Sequence, residues 1–259
     1  MKRTLVSLVV LMMTVTIVQS QIWRAQRIEL TAGLGPTQFF GDIGGFTPSE
    51  NILGLKDISL RQTRFNISVG ANYRILQDLN IRLNLVYGMF NANDMRGSNV
   101  DRAYRSTTNF FETAIVGEYY FIKNAAENSY LFSRKNVLRL RPRRLDSPVY
   151  RGSLFSKLDF YTFAGFGGLG YTVAGNEALK LRDMKDGGFT AIIPAGFGAK
   201  YMYSPEISLG VELGGRYTFS DYIEGYTSPY SKYNDVYYFI NATITYKLDT
   251  SPRQIFGRR

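Results

Sequence analysis

The chain has 259 residues, a formal net charge of +10 and neither cysteine nor histidine. Because cysteine is missing, the chain has no disulfide, no thiolate metal site and no cysteine nucleophile. Because histidine is missing, it has no Ser-His-Asp triad and no HExxH zinc site. We therefore expect a protein that is not an enzyme and has no cofactor, metal ion or small-molecule substrate. Its 19 tyrosines, 18 phenylalanines and 25 glycines are typical of a β-protein at an interface.

The first segment, residues 1–20, has the pattern of a secretory signal peptide. Lys2 and Arg3 provide the positive start, and an apolar run from Leu5 to Val18 leads to a Val-Gln-Ser cleavage sequence. The alternative is an uncleaved membrane anchor, but the run is shorter than the roughly 20 residues that a spanning helix needs. We expect residues 21–259 to form the mature chain as a single domain.

Eight segments of the expected mature chain alternate apolar with small or polar residues, a period of two that predicts β-strands. In the third segment, Leu83 and Leu85 lie on one face, and Arg82 and Asn84 lie on the other. The predicted strands cover residues 26–36, 64–74, 80–89, 109–121, 158–173, 189–201, 206–219 and 236–248. The fifth segment is rich in glycine and leaves the register of its strand open.

The connections between strands alternate in length. Residues 76–78 and 204–205 are tight turns, whereas the first, third, fifth and seventh connections are long and polar. Short periplasmic turns and long extracellular loops are typical of outer-membrane barrels. A soluble barrel, the alternative, would place its apolar face inside, but the signal peptide and the loop lengths favour a membrane. We therefore predict an all-β fold: an eight-stranded antiparallel transmembrane β-barrel in the cell outer membrane, with both chain ends in the periplasm.

The strand face opposite the apolar one carries charges of both signs. These residues are Glu29, Glu112, Glu118, Glu206 and Glu212, with Arg74, Arg82, Lys200, Arg216 and Lys247. An eight-stranded barrel is only wide enough for side chains to fill. We therefore expect an interior of ion pairs and hydrogen bonds instead of an open channel.

Aromatic residues gather near the predicted strand ends. They are Phe39, Phe40, Phe90, Phe110, Phe111, Tyr119, Tyr120, Phe121, Phe219, Tyr222, Tyr237 and Tyr238. Aromatic rings favour the headgroup level of a bilayer, so we interpret them as two girdles around a barrel. The alternative is the aromatic core of a soluble fold.

The connection between strands 4 and 5, residues 122–157, is long although its position in the order places it in the periplasm. It holds nine basic and two acidic residues, a net charge of +7. Its basic core comprises Arg134, Lys135, Arg139, Arg141, Arg143 and Arg144. Two interpretations remain open: a solvated loop against anionic lipid headgroups, or a docking surface for a periplasmic partner. A nucleic-acid partner is disfavoured, and the tail at 249–259 would lie on the same side.

Residues 165–170 match the GxGxxG pattern of dinucleotide-binding loops. Such a site needs a helix after the glycines, whereas Tyr171 and Val173 continue a strand pattern. We therefore interpret these glycines as allowing bending or close packing in a barrel wall.

Three stretches carry a resemblance to a known family: 34–42, which ends in Gly-Asp; 69–74 with 81–83; and the aromatic-Thr-Phe-Ser-Asp-Tyr run within 217–224. Over nearly the whole mature chain, the sequence resembles the PorG-like outer-membrane barrels of the Bacteroidota type IX secretion system. The resemblance implies a non-enzymatic part of a protein-secretion machine, tied to periplasmic ring components, a lipoprotein and its partner. It carries over no binding residue, so the docking site is predicted from charge alone.

A second hypothesis is a surface binding or adhesion barrel. It would act through the predicted extracellular loops 41–63, 91–108, 174–188 and 220–235. A third, a small-solute porin, is disfavoured by the strand number and the charged interior.

Overall fold

The computed structural model describes residues 27–44, 60–95, 100–124, 157–228 and 234–248. The predicted signal peptide and the predicted tail therefore lie outside the described residues. Eight strands follow one another: β1 Ile28–Phe40, β2 Arg64–Arg74, β3 Leu79–Asn93, β4 Arg105–Ile122, β5 Leu158–Gly175, β6 Gly187–Met202, β7 Ile207–Thr218 and β8 Val236–Leu248. Each strand pairs antiparallel with its neighbours in sequence, and β1 pairs with β8 to close the sheet. The prediction of an eight-stranded antiparallel barrel is confirmed.

Two short helical elements lie in the connections. A 3-10 turn spans Val100–Arg102 between β3 and β4, and helix α1 spans Glu177–Lys180 between β5 and β6. The side chain of Asn176 caps α1, because its oxygen accepts a hydrogen bond from the backbone N–H of Leu179. Within the described ranges, no helix is both long and apolar enough to cross a membrane.

Alternation along the strands sorts the side chains between the lumen and the outer surface. In β3, Arg82 and Asn84 are buried in the lumen, whereas Leu83 remains 45 % exposed on the outside. Large apolar side chains of all eight strands are exposed in the same way. A closed sheet leaves no unpaired edge, and an apolar outer band is the surface that lipid requires. The chain is therefore a transmembrane β-barrel.

The bounds of β2 and β8 match the predicted strands, and the other strands differ at their ends. β3 continues to Asn93 and β4 begins at Arg105, because the ladder runs on to the pair formed by these two residues. The outward side chains in this part include Asn91 and Thr107, so the apolar alternation fades before the backbone pairing ends.

The structure also gives the register of β5. Tyr161, Phe163 and Leu169 point into the lumen and are almost fully buried. The ladder between β4 and β5 is continuous apart from an irregularity between Tyr120 and Ile122.

The glycine run at 165–170 lies entirely within β5. A Cβ atom on Gly165 would lie 2.2 Å from the carbonyl oxygen of Ile115, and one on Gly167 would lie 2.4 Å from that of Thr113. Glycine at these two positions therefore lets β5 approach the backbone of β4, which is the close packing interpreted from the sequence.

The girdle prediction is wrong for five aromatic residues, which lie inside the barrel. They are Phe39, Phe90, Phe110, Tyr120 and Tyr237. Successive side chains on a strand point to opposite faces, so one member of each aromatic doublet must face the lumen. Five others are exposed on the outer surface, as predicted: Phe111, Tyr119, Phe121, Phe219 and Tyr238. The remaining two, Phe40 and Tyr222, are half-buried.

Candidate functional site: the filled lumen, the cap and the short-turn rim

The lumen carries charges of both signs, as predicted. The buried charged residues of the strands are Glu29, Glu112, Glu118, Asp159 and Glu212, with Arg74, Arg82, Lys200, Arg216 and Lys247. The prediction for Glu206 is wrong, because this residue lies in the turn before β7 and is only half-buried. Asp159 was not predicted, and it supplies the fifth acidic side chain. The buried charges of the eight strands are therefore balanced in number.

Arg82 links three strands across the lumen. Its guanidinium donates to both carboxylate oxygens of Glu212, at 2.5 and 3.2 Å, and lies 3.1 Å from a carboxylate oxygen of Glu118. Tyr161 also donates its hydroxyl to Glu212. Bidentate bonds between arginine and a carboxylate are strong and fix the geometry of both groups. This network therefore fixes the position of side chains from β3, β4, β5 and β7.

A second set of polar contacts surrounds this network. The ammonium of Lys200 donates to the hydroxyl of Tyr120 at 2.8 Å, and that hydroxyl donates to Glu118 at 2.8 Å. Arg74 pairs with Glu29 at 2.7 Å. These contacts fill the lumen with ion pairs and hydrogen bonds, which is the predicted interior.

An aromatic cluster, which we call the plug, fills the opposite half of the lumen. It includes Phe39, Phe90, Phe110, Tyr237 and Phe239. The rings of Phe90 and Phe110 stack with their centroids 4.2 Å apart, and Phe90 also lies 4.8 Å from Tyr237. The hydroxyl of Tyr237 donates to Glu112 at 2.8 Å, which joins the plug to the charged half.

Above the plug, the described residues of the four long loops bond to one another and form a cap. Asp94 accepts hydrogen bonds from the N–H of Gly44 and from Nε of Arg102, both at 2.8 Å. Arg102 also donates to the carbonyl oxygen of Asp42 at 2.8 Å. Burial opposes the charge of Arg102, but its hydrogen bond to Asp94 and the charge of Asp94 raise its pKa. A permanently charged Arg102 therefore clamps the first long loop to the second.

The other two long loops join the same cap. The N–H of Ser228 donates to the carboxylate of Asp42 at 2.7 Å, which links the fourth loop to the first. The N–H of Lys185 donates to the carbonyl oxygen of Gly225 at 3.0 Å, which links the third loop to the fourth. The four loops therefore constrain one another.

The opposite end of the barrel, the short-turn rim, comprises the turns 75–78 and 203–206 and the ends of the strands beside them. Asp159 there accepts hydrogen bonds from the backbone and the side-chain N–H groups of Asn124, at 2.6 and 2.9 Å. Lys123 donates to a carbonyl oxygen of the turn 75–78. The two flanks of the connection between β4 and β5 are therefore fixed to each other at this rim.

The residues predicted to bind a partner lie outside the described residues. They are Arg134, Lys135, Arg139, Arg141, Arg143 and Arg144. The structure gives the points where the connection leaves and re-enters the barrel, at Asn124 and Lys157. Among the residues it describes, no three acidic side chains come together as a metal site.

The closed antiparallel sheet, the apolar exterior and the charged, filled lumen together define an outer-membrane β-barrel. The exposed apolar band lies in lipid, because an aqueous compartment would not accommodate it, and the closed β-barrel is the spanning architecture of the outer membrane.

Comparisons with known proteins add similarities of fold. No family model matches the sequence, and no curated protein matches it. Three crystal structures of outer-membrane proteins resemble it. Neisserial surface protein A has 12 % sequence identity to this chain and a TM-score of 0.43. The alignment covers 85 % of this chain and 97 % of that protein. The second is Ail, the attachment invasion locus protein of Yersinia pestis, in complex with a heparin analogue. It has 8 % sequence identity and a TM-score of 0.42, and the alignment covers 86 % of this chain and 99 % of Ail. The third is a major outer membrane protein from Thermus thermophilus. It has 12 % sequence identity and a TM-score of 0.42, and the alignment covers 86 % of this chain and 100 % of that protein.

Proposed function

We propose that the protein is a non-enzymatic barrel component of an outer-membrane protein-secretion machine, of the PorG-like kind found in type IX secretion. In this proposal the short-turn rim faces the periplasm, and the basic connector, residues 122–157, docks periplasmic ring proteins. Those proteins are the lipoprotein and its partner that the sequence resemblance implies. The proposal rests above all on the way Asp159 fixes the two flanks of the connector.

The fixed flanks explain how the connector could serve as a docking element. Asn124 is bonded to Asp159 through two hydrogen bonds, so the connector leaves and re-enters the barrel at one place. Restricting the ends of a loop lowers the entropy that binding must remove. The connector carries nine basic and two acidic residues. A partner that fits it would therefore present an acidic surface.

The filled lumen supports a structural role over a transport role. Arg82 and its carboxylate partners occupy one half of the lumen, and the plug occupies the other half. A secreted polypeptide or a solute would have to displace both sets of side chains. The barrel therefore fits the role of an anchor for a machine better than that of its channel.

Charge reversal tests the docking proposal. Replacing Arg139, Arg141, Arg143 and Arg144 by Glu should abolish co-purification of the barrel with its periplasmic partners from detergent-solubilised outer membranes. The matched control reverses four exposed basic residues at the opposite end: Arg61, Arg105, Lys180 and Arg182. Both variants should keep the heat-dependent gel shift of a folded barrel. Unchanged co-purification in the connector variant would refute the proposal.

The cap favours one alternative, a surface binding or adhesion barrel. Its loops, which are joined by hydrogen bonds, form a preorganised surface. On this surface Leu181 is 85 % exposed and Met95 is 58 % exposed. Under this alternative, Leu181→Asp would abolish the binding or adhesion, and the charge reversal in the connector would leave that binding or adhesion intact. The two variants therefore separate the two candidate functions.

A further inference from the structure

Two carboxyl groups are buried in the cap. Glu224 is 1 % exposed and Asp235 is 2 % exposed. One oxygen of each is held by the backbone: Glu224 Oε1 accepts from the N–H of Ile43 at 2.8 Å, and Asp235 Oδ2 accepts from the N–H of Ile223 at 2.9 Å. The other oxygens, Glu224 Oε2 and Asp235 Oδ1, are buried without a hydrogen-bond partner. Leaving a buried acceptor unpaired is unfavourable, so this arrangement calls for a missing donor.

The two unpartnered oxygens approach the same point beside Gly41. A Cβ atom on Gly41 would lie 2.8 Å from Glu224 Oε2 and 2.8 Å from Asp235 Oδ1. Their separation is therefore at most twice that distance, and a ring carbon of Phe39 lies 2.6 Å from the same point. Two ionised carboxylates so close in a buried site repel each other strongly.

Charged groups of the first, second and fourth loops act on the pair, and most of them are negative. Asp42 of the first loop and Asp221 of the fourth add negative charge. Arg102 of the second loop acts on the pair from a distance, but its guanidinium is bonded to Asp94. Lys185 of the third loop lies over an aromatic ring of the fourth, with its nitrogen 3.3 Å from the ring centroid. Arg102 and Lys185 therefore already interact with other groups.

We propose that Glu224 and Asp235 bind one proton between them and that this proton latches the cap closed. When one of the two carboxyl groups carries the proton, its O–H donates a hydrogen bond and the oxygen of the other group accepts it. The proton also neutralises one of the two like charges. A proton needs only two oxygens, which is the number present, whereas calcium takes about six to eight. The part of the chain that the structure covers brings no third acidic side chain close enough to form a metal site.

The latch gives the cap a defined pH dependence. Burial, with the negative charges of Asp235 and Asp42, raises the pKa of Glu224, and burial with the charges of Asp221 and Asp42 raises the pKa of Asp235. A carboxyl group whose pKa is higher in the closed cap than in the open one takes up a proton on closing. The closed cap is fully stabilised below the ordinary carboxyl pKa of about 4. It loses that stability as the pH rises through the raised pKa of the pair, so raising the pH opens it.

Spin labels on the whole barrel in lipid vesicles can follow the opening. The chain has no native cysteine, so Ser228→Cys in the fourth loop and Ala174→Cys on β5 give a unique pair of labels. The distance distribution between them should be narrow in acid and should broaden and lengthen as the pH rises through the raised pKa of the pair. In Glu224→Gln the amide can donate to Asp235 without an added proton. This variant should therefore keep the narrow distribution at every pH.

The matched control is Asp183→Asn, which removes an exposed carboxyl group of the third loop and should keep the wild-type pH response. A heat-dependent gel shift first establishes that each labelled variant is a folded barrel. A wild-type distribution that stays narrow at all pH values would overturn the proposal, as would Glu224→Gln opening with the wild-type midpoint. Alkaline closure that depends on added calcium would also overturn it, because the two oxygens would then hold a cation.

Discussion

Arg82 on β3 and Glu212 on β7 are 130 residues apart in sequence and are joined by two hydrogen bonds, of 2.5 and 3.2 Å, across the lumen. In the closed order of eight strands, β3 and β7 lie opposite each other, so this pair ties two facing walls. Glu118 lies 3.1 Å from the same guanidinium. One cation therefore stands between two buried carboxylates in the middle of the barrel.

Removing that cation should destabilise the barrel. We expect Arg82→Met to lower the free energy of unfolding by about 3–5 kcal/mol, because Glu212 would stay buried without its cation and Glu118 would keep only Lys200, 3.5 Å away. The protein is incubated with urea in lipid vesicles and run on a gel without heating. The measurement is the urea concentration at which the band of the folded barrel disappears. Arg82→Met combined with Glu212→Gln should lose less, since one fewer unpaired charge remains. An Arg82→Met variant as stable as wild type would show that the network does not hold the walls together.

A charge on the lipid-facing surface tests the assignment of inside and outside. Leu83→Arg, on the outer face of β3, should cost about 2–4 kcal/mol if the residue lies near the bilayer midplane. Leu181→Arg is the matched control, because Leu181 is 85 % exposed beyond the strands at the cap. The control should leave the urea midpoint unchanged. Equal midpoints for the two variants would contradict a transmembrane orientation.

The filled lumen predicts a barrel that does not conduct ions. Purified protein inserted into planar lipid bilayers should give no stable current steps, because the plug and the Arg82 network both obstruct the lumen. Detergent without protein is the control for leakage. Steps of reproducible size that scale with the protein added would revive the porin hypothesis.

The strands could be predicted from the sequence because each one is a local pattern with a period of two. The plug could also have been predicted, since the doublets Phe110-Phe111 and Tyr237-Tyr238 each require one ring inside. The partner of Arg82 could not, because it depends on the stagger with which the sheet closes. The pair Glu224 and Asp235 was missed because loop contacts above the barrel bring it together. The local pattern contains neither kind of information.

Photo-crosslinking in intact cells tests the central claim most directly. A photoreactive amino acid at Leu138, in the middle of the basic connector, should form adducts with periplasmic secretion-ring proteins. The same amino acid at Leu181, in the cap, should form none with them. Adducts with those proteins from position 181, or none from position 138 in a folded barrel, would contradict docking through the connector.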